Sequence, residues 1–232
     1  MSGEQFVHAW LLGLDPGWRR LPDEQRDADV ADFCAAAQRT QSHLIQHAYS
    51  TIGLRAQGDL LLWRMANSVE ELEQSAADQL SSGVGRWLSP QLSLIGLIRP
   101  SQYVKRPTSQ EQSLFAGDRS RYLVVYPFSK SVEWYLTPAD ERQKVMAGHM
   151  KVGHQYAQVR QLLAYSFGLD DQEFIVAYET DDLVAFQDLV RELRETESRR
   201  ATTQDTPIIT GINRPLGSVL SMLSGSPADA LK

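Results

Sequence analysis

The sequence predicts an α+β protein made of two tandem ferredoxin-like βαββαβ units with antiparallel sheets, an architecture of the dimeric α+β barrel type. Two observations predict it. The alternation of apolar residues that is typical of strands, followed by the 3.6-residue periodicity of helices, occurs twice along the 232 residues. Between the two occurrences lies a segment rich in Pro, Ser, Gln and charged residues. The predicted regions are an N-terminal ferredoxin-like domain at 1–98, a linker loop at 99–119, a C-terminal ferredoxin-like domain at 120–214 and a C-terminal tail at 215–232.

The first unit is predicted from its hydrophobic periodicity and its turn residues. Its expected elements are a strand at 5–14, a helix at 22–39, a strand pair at 43–54 and 59–66, a helix at 68–87 and a strand at 91–98. Ser68 and Glu71 form a capping-box sequence, because the serine hydroxyl can accept from the backbone and the glutamate can reach back. A helix is therefore expected to begin at this point.

The second unit repeats this order of elements. Its expected elements are a strand at 122–129, a helix at 137–156, a strand pair at 161–168 and 173–179, a helix at 183–195 and a strand at 208–211. Pro138 suits the first turn of the first helix, and Asp181 and Asp182 suit the start of the second. The residues 217–232 are small and polar on average, which favours a tail.

Composition excludes several classes of protein. The net charge is −6 without a dense Lys/Arg run, which argues against a nucleic-acid partner. The longest apolar runs, such as 60–63, are too short to cross a membrane, and residues 1–20 lack the pattern of a secretory signal. Cys34 is the only cysteine, so an internal disulfide and a cysteine-cluster metal site are excluded. These features are typical of a cytoplasmic protein.

A phenol, an ammonium and an imidazole fall within one strand–helix segment. Because side chains alternate along a strand, Tyr126, Phe128 and Lys130 share one face. A phenol and a cation on one wall suit oxidation of an anionic substrate, whereas the alternative is a core aromatic beside a snorkelling lysine. On the next helix, His149 shares an apolar stripe with Val145 and neighbouring residues, where it is either a metal ligand or a packed side chain.

The motifs YPFSK, EWYLTPADERQKVMAGHM and YAQVRQLLAYSFGLDDQEFIVAYETDD occur in this order over 122–211. They resemble the heme-binding half of the chlorite dismutase family, and within it the coproheme decarboxylases, also called hydrogen-peroxide-dependent heme synthases. The resemblance implies that His149 is the proximal iron ligand and that Tyr126 forms the radical that removes a hydrogen atom from a propionate. It implies that Lys130 holds the reacting carboxylate and delivers a proton, and that Trp134 lies near the porphyrin.

The residue above the iron distinguishes the two chemistries of this family. Chlorite dismutases place an arginine there, whereas many of the decarboxylases have a glutamine. When the segment is aligned with the family backward from Gly168, Gln161 falls at this position. When it is aligned forward from His149, the loop between them is one residue shorter than in many relatives, and Arg160 is the alternative. Adjacent residues face opposite sides of a strand, so only one of the two can enter the pocket. We favour Gln161.

Further positions follow from the resemblance alone. Arg106 resembles an arginine that anchors a propionate, and Arg199 and Arg200 resemble a second basic position, for which we assign Arg200. Guanidinium groups suit carboxylate recognition, although exposed surface charge is the alternative for all three. Glu197 is the expected acceptor for the second N–H of the iron-ligating histidine.

The resemblance implies a coproheme decarboxylase. Its substrate and redox cofactor is iron-coproporphyrin III (coproheme), whose two propionates are converted by hydrogen peroxide to vinyl groups to give heme b. Phe128 is expected to line the porphyrin with the residues named above. The family also implies a homopentamer and a coproporphyrin ferrochelatase as upstream donor. The alternatives are a chlorite dismutase and a heme-binding protein without turnover.

Overall fold

The computed structural model describes residues 5–99, 103 and 118–225. The chain divides into two compact units. Unit 1 consists of Met1–Leu97 with Gly211–Lys232, and unit 2 consists of Ile98–Thr210. In the parts of the chain that the structure describes, none of the helices has the length and apolarity needed to span a bilayer.

Unit 1 has the predicted order of strands and helices. Its elements are β1 (Gln5–Leu14), α1 (Asp23–Arg39), β2 (Leu44–Ser50), β3 (Leu60–Ala66), α2 (Val69–Leu80) and β4 (Leu88–Ile98), with 3-10 helices at Pro16–Arg20 and Gly83–Trp87. β3 pairs antiparallel with both β1 and β2. The serine half of the capping box is present, because Ser68 Oγ accepts from the backbone N–H of Glu71 at 3.2 Å. Glu71 reaches back one residue further than the motif requires and accepts from the backbone N–H of Asn67 at 3.0 Å.

The predicted helix at 68–87 is interrupted. α2 ends at Leu80, and the 3-10 helix Gly83–Trp87 follows it. Gly83 has a φ of +41°, and a Cβ atom there would lie 2.0 Å from the carbonyl oxygen of Asp29 on α1. The chain therefore needs glycine at this close approach to α1, and the α-helix cannot continue through it.

Residues near the end of the chain belong to the core of unit 1. β9 (Ile209–Asn213) pairs antiparallel with β2, although the sequence pattern had placed this strand in the second unit. α6 (Leu216–Ser224) follows, where a polar tail was expected. The apolar residues of α6 recur at helical spacing, and three of them, Val219, Leu220 and Leu223, are fully buried. They share one core cluster with Trp10, Trp18 and Phe33. The mostly small and polar residues after Ser224 lower the average hydropathy of 217–232, and this average concealed the apolar stripe in the sequence.

Unit 2 contains the remaining elements of the described residues. They are β5 (Tyr122–Lys130), α3 (Val132–Leu136), α4 (Ala139–Gly153), β6 (Arg160–Tyr165), β7 (Phe174–Thr180), α5 (Leu183–Arg194), a 3-10 helix at Glu197–Ala201 and β8 (Thr202–Gln204). β7 pairs antiparallel with β6 and β5, and β8 pairs with the end of β5. Asp182 caps α5, since its carboxylate accepts from the backbone N–H groups of Val184 and Ala185.

One face of the unit 2 sheet carries the helices. α4 packs against α5 and against the 3-10 helix that follows α5. The buried cluster on this face includes Val124, Val176, Tyr178 and Leu189, and Tyr126 and Phe128 pack against it. The strand alternation therefore directs the predicted wall of Tyr126, Phe128 and Lys130 toward these helices.

Candidate functional site

Two phenols lie side by side on the helix-covered face of unit 2. Tyr126 on β5 stacks on Tyr178 of β7, with ring centroids 6.3 Å apart and an interplanar angle of 30°. Tyr178 in turn packs against Phe186 of α5 at 5.2 Å. Burial first, and then the charge interaction and hydrogen bond with Tyr178, raise the pKa of Tyr126 well above its usual value. Tyr126 therefore keeps its O–H at all ordinary pH values.

Lys130 ends the same wall of β5. Its Nζ donates to the backbone carbonyl of Ser198 at 2.8 Å and lies over the rings of Phe128 and Trp134, 5.2 and 4.8 Å from their centroids. Burial, and secondly the charge of Arg199, lower the pKa of Lys130 to about 8 against the opposing charge of Glu173. The ammonium is therefore mostly protonated at pH 7, so it can both attract a carboxylate and release a proton.

His149 lies half-buried on α4, near the same group of residues. Its Nδ1 lies 3.1 Å from Ser198 Oγ. Burial first, and then the charge of Lys130, lower the pKa of His149 from 6.5 to about 4. The imidazole is therefore neutral at pH 7, which is the form that binds a metal ion. His154 lies exposed at the end of the helix.

The expected partner of His149, Glu197, does not contact it. Glu197 is exposed and pairs instead with Arg200, its Oε1 lying 3.1 Å from the arginine Nε. Ser198, one residue further along the 3-10 helix, is buried and makes the contact. Arg200 itself extends into solvent, whereas Arg199 is half-buried and pairs with Asp205 at 2.5 Å. Of the two arginines, Arg199 is the one whose charge lowers the pKa of Lys130.

Strand register separates Gln161 from Arg160. Gln161 lies directly opposite Tyr178 in the β6–β7 pairing, so it shares the helix-covered face with both phenols. Arg160 lies opposite Glu179 and faces the other way. It donates to Glu179 at 2.8 Å, to Ser120 Oγ at 2.9 Å and to the Asp118 carbonyl at 3.1 Å. Glu179 is fully buried and also pairs with Arg119 at 2.5 Å, so the Arg160 guanidinium is held away from the phenols.

The remaining predicted positions differ in how far the structure describes them. Trp134 on α3 is buried beneath the Lys130 ammonium, and its ring lies 6.5 Å from that of Tyr103. Arg106 lies outside the described residues. Ser198 and Tyr178 were not singled out from the sequence. The alternation of β7 places Tyr178 on the helix side, but nothing in the sequence marks Ser198 among several nearby hydroxyl residues.

The donor set fits an iron porphyrin better than a bare metal ion. In the ranges 5–99 and 118–225, no group of three or more His, Cys, Asp or Glu side chains converges as a set of metal ligands. A single neutral imidazole on an apolar face is sufficient when a macrocycle supplies the other ligands. The Lys130 ammonium and the rings around it suit a flat apolar ligand with acidic side groups.

Comparisons with known proteins agree on one family. The sequence model described as chlorite dismutase matches residues 26–214. A coproheme decarboxylase from Mycolicibacterium smegmatis is 35% identical over 205 residues, which cover 86% of each chain. A mutant of chlorite dismutase from Candidatus Nitrospira defluvii has a similar structure, with a TM-score of 0.88 and 26% identity over 97% of each chain. The same enzyme in complex with imidazole gives a TM-score of 0.86 and 26% identity over 95% of each chain. The predicted α+β fold class is confirmed by these likenesses.

Proposed function

Because the chain belongs to the chlorite dismutase family, we propose that it is a coproheme decarboxylase, a heme-dependent oxidoreductase that makes heme b from iron-coproporphyrin III. The observation that carries the proposal is the group of side chains on one face of unit 2: the Tyr126 phenol, the Lys130 ammonium and the neutral His149 imidazole. Gln161, and not an arginine, shares this face, which favours the decarboxylase over the dismutase.

The residues present fit the porphyrin substrate. His149 would hold the iron through Nε2, and Phe128, Trp134 and Gln161 would line the macrocycle within the region 120–214. The basic side chains proposed for the propionates are Arg106 and Arg200. Arg199 is a further candidate, because it is less exposed than Arg200 and its charge acts on Lys130. When bound, the iron porphyrin supplies the redox chemistry through which hydrogen peroxide is consumed.

Tyr126 and Lys130 have complementary roles in this scheme. Each decarboxylation of a propionate consumes one hydrogen peroxide and one proton, and it yields a vinyl group, carbon dioxide and two water molecules. The Tyr126 O–H, kept protonated by burial, is oxidised to the phenoxyl radical that removes a hydrogen atom from the propionate. Lys130 attracts the carboxylate and supplies the proton.

The direct test is to load the protein with iron-coproporphyrin III, add hydrogen peroxide and follow the products by mass spectrometry. We expect successive loss of two carboxyl groups and formation of heme b. Tyr126→Phe keeps the ring, and so we expect it to bind the substrate but to form almost no heme b. The matched control is Tyr156→Phe, because Tyr156 packs against the same cluster but donates its hydroxyl to Glu192 at 2.7 Å.

Two other outcomes would replace this proposal. Rapid oxygen release from chlorite, without decarboxylation, would support a chlorite dismutase, and Arg160 would then have to leave Glu179. Tight porphyrin binding with neither reaction would indicate a heme-binding protein without turnover. Heme b formation by Tyr126→Phe at the parental rate would remove the phenol from the mechanism.

The setting of the reaction completes the proposal. The coproheme decarboxylase relative supports coproheme as the substrate of this chain. We further propose a homopentamer, a cytoplasmic location and supply of the substrate by a coproporphyrin ferrochelatase. Sedimentation of the purified protein tests the pentamer, and pull-down with a ferrochelatase tests the donor.

A further inference from the structure

Three polar contacts run in series from the end of α5 to His149. Thr196 Oγ1 donates to the carbonyl oxygen of Leu193 at 2.6 Å. Thr196 Oγ1 and Ser198 Oγ lie 3.3 Å apart, and Ser198 Oγ lies 3.1 Å from His149 Nδ1. The Leu193 carbonyl belongs to the last turn of α5, and it also accepts from the backbone N–H of Thr196 at 3.2 Å.

The direction of each hydrogen bond follows from counting protons. A carbonyl oxygen can only accept, so the single hydroxyl proton of Thr196 is committed to Leu193. Thr196 Oγ1 can then only accept, so a hydrogen bond across its 3.3 Å contact with Ser198 takes its proton from Ser198. A Ser198 hydroxyl that donates to Thr196 Oγ1 can only accept from the imidazole, and this places the proton of the neutral ring on Nδ1.

We propose that Ser198, directed by Thr196, is a positioning residue that fixes His149 as the Nδ1–H tautomer and leaves the Nε2 lone pair free for iron. The consequence for iron rests on the proposed function, whereas the tautomer itself does not. Ser198 has a second contact, because its backbone carbonyl accepts from Lys130 Nζ. One residue thus orients both the metal ligand and the ammonium, through different atoms.

The two contacts of Ser198 can be separated by mutation. Ser198→Ala removes the hydroxyl but keeps the carbonyl that holds Lys130. Thr196→Val removes the group that determines the direction of the Ser198 hydroxyl, which can then donate to Nδ1. Thr196→Ser restores a hydroxyl. The matched control is Thr40→Val in unit 1, because Thr40 makes the same two kinds of contact as Thr196. Its Oγ1 donates to the carbonyl of Ala37, three residues earlier, at 3.0 Å, and lies 3.4 Å from Ser75 Oγ.

The tautomer is measured on the porphyrin-free protein by long-range ¹⁵N–¹H NMR of the His149 ring at neutral pH. We expect a protonated Nδ1 and a bare Nε2 in the parent, in Thr196→Ser and in Thr40→Val. In Ser198→Ala and Thr196→Val the ratio of the tautomers should shift toward Nε2–H by at least about fivefold, the effect of one neutral hydrogen bond. A parent protein with its proton on Nε2 would overturn the inference without recourse to any variant.

A second readout uses the protein loaded with iron-coproporphyrin III. The iron–imidazole stretching vibration should move in Ser198→Ala and Thr196→Val and stay at the parental frequency in Thr40→Val. An unmoved vibration in both variants would contradict a positioning role for Ser198. Protein that shows the Nδ1–H tautomer but makes no heme b would refute the proposed function, while it would support the hydrogen-bond assignment.

Discussion

The depressed pKa of His149 makes the stability of the porphyrin-free protein depend on pH in a defined window. In the unfolded chain the imidazole takes up a proton near pH 6.5, whereas in the folded protein it does so near pH 4. Between these values the unfolded state binds more protons than the folded state. Above about pH 6.5 the imidazole is neutral in both states, and the free energy of unfolding is not reduced by His149. As the pH falls from 6.5 to 4, the free energy of unfolding falls with it.

The magnitude follows from the size of the shift. A fall of about 2.5 pH units, at about 1.4 kcal/mol per unit, corresponds to about 3 kcal/mol of unfolding free energy lost by pH 4. We expect urea unfolding of the parent and of His149→Leu to differ by an amount that changes with pH. Relative to the variant, the parent should lose up to about 1.4 kcal/mol for each pH unit between 6.5 and 4.

The comparison with the variant isolates His149 from the other titrating groups. The control is His154→Leu, since His154 lies exposed at the end of the same helix. A difference between parent and His149→Leu that stays constant from pH 7 to pH 4 would refute the reasoning. The imidazole would then be solvated, and it would lack the apolar surroundings that an iron ligand requires.

Three further predictions concern unit 2. Because the pKa of Lys130 is about 8, the rate of heme b formation by the parent should decline above about pH 8. Lys130→Ala should be about 10²–10⁴-fold slower, and its pH–rate profile should not show this decline. Glu179→Gln removes the carboxylate that Arg119 and Arg160 share, so it should lower the free energy of unfolding by about 3–5 kcal/mol. Urea titration measures this loss, and a loss below about 1 kcal/mol would contradict the prediction. Arg160→Ala should make heme b within a few-fold of the parental rate, whereas Gln161→Ala should change the spectrum of the bound iron; the opposite pattern would make Arg160 the distal residue.

Most of the fold was predictable because apolar periodicity reflects local burial. The alternation in β5 was sufficient to place Tyr126, Phe128 and Lys130 on one face, as the structure has them. The end of the chain was not predictable in this way. β9 pairs with a strand about 160 residues earlier, and no local pattern specifies such a long-range partner.

The details of the site depend on features that a sequence does not encode locally. Each residue of a 3-10 helix is rotated by about 120° from the last, so Glu197 points to solvent while Ser198 points inward. Glu197 was favoured because the family resemblance points to the acidic end of the preceding helix. Likewise, the choice between Arg160 and Gln161 required the β6–β7 register, which depends on the partner strand.

The position of α6 has a consequence for biosynthesis. Its apolar residues Val219, Leu220 and Leu223 complete a core whose other members include Trp10, Trp18 and Phe33. A ribosome therefore translates all of unit 2 before it releases the helix that covers the indole rings of unit 1. The part of the protein that is made first is the last to be completed, and until then its exposed aromatic surface is a site for chaperone binding or aggregation.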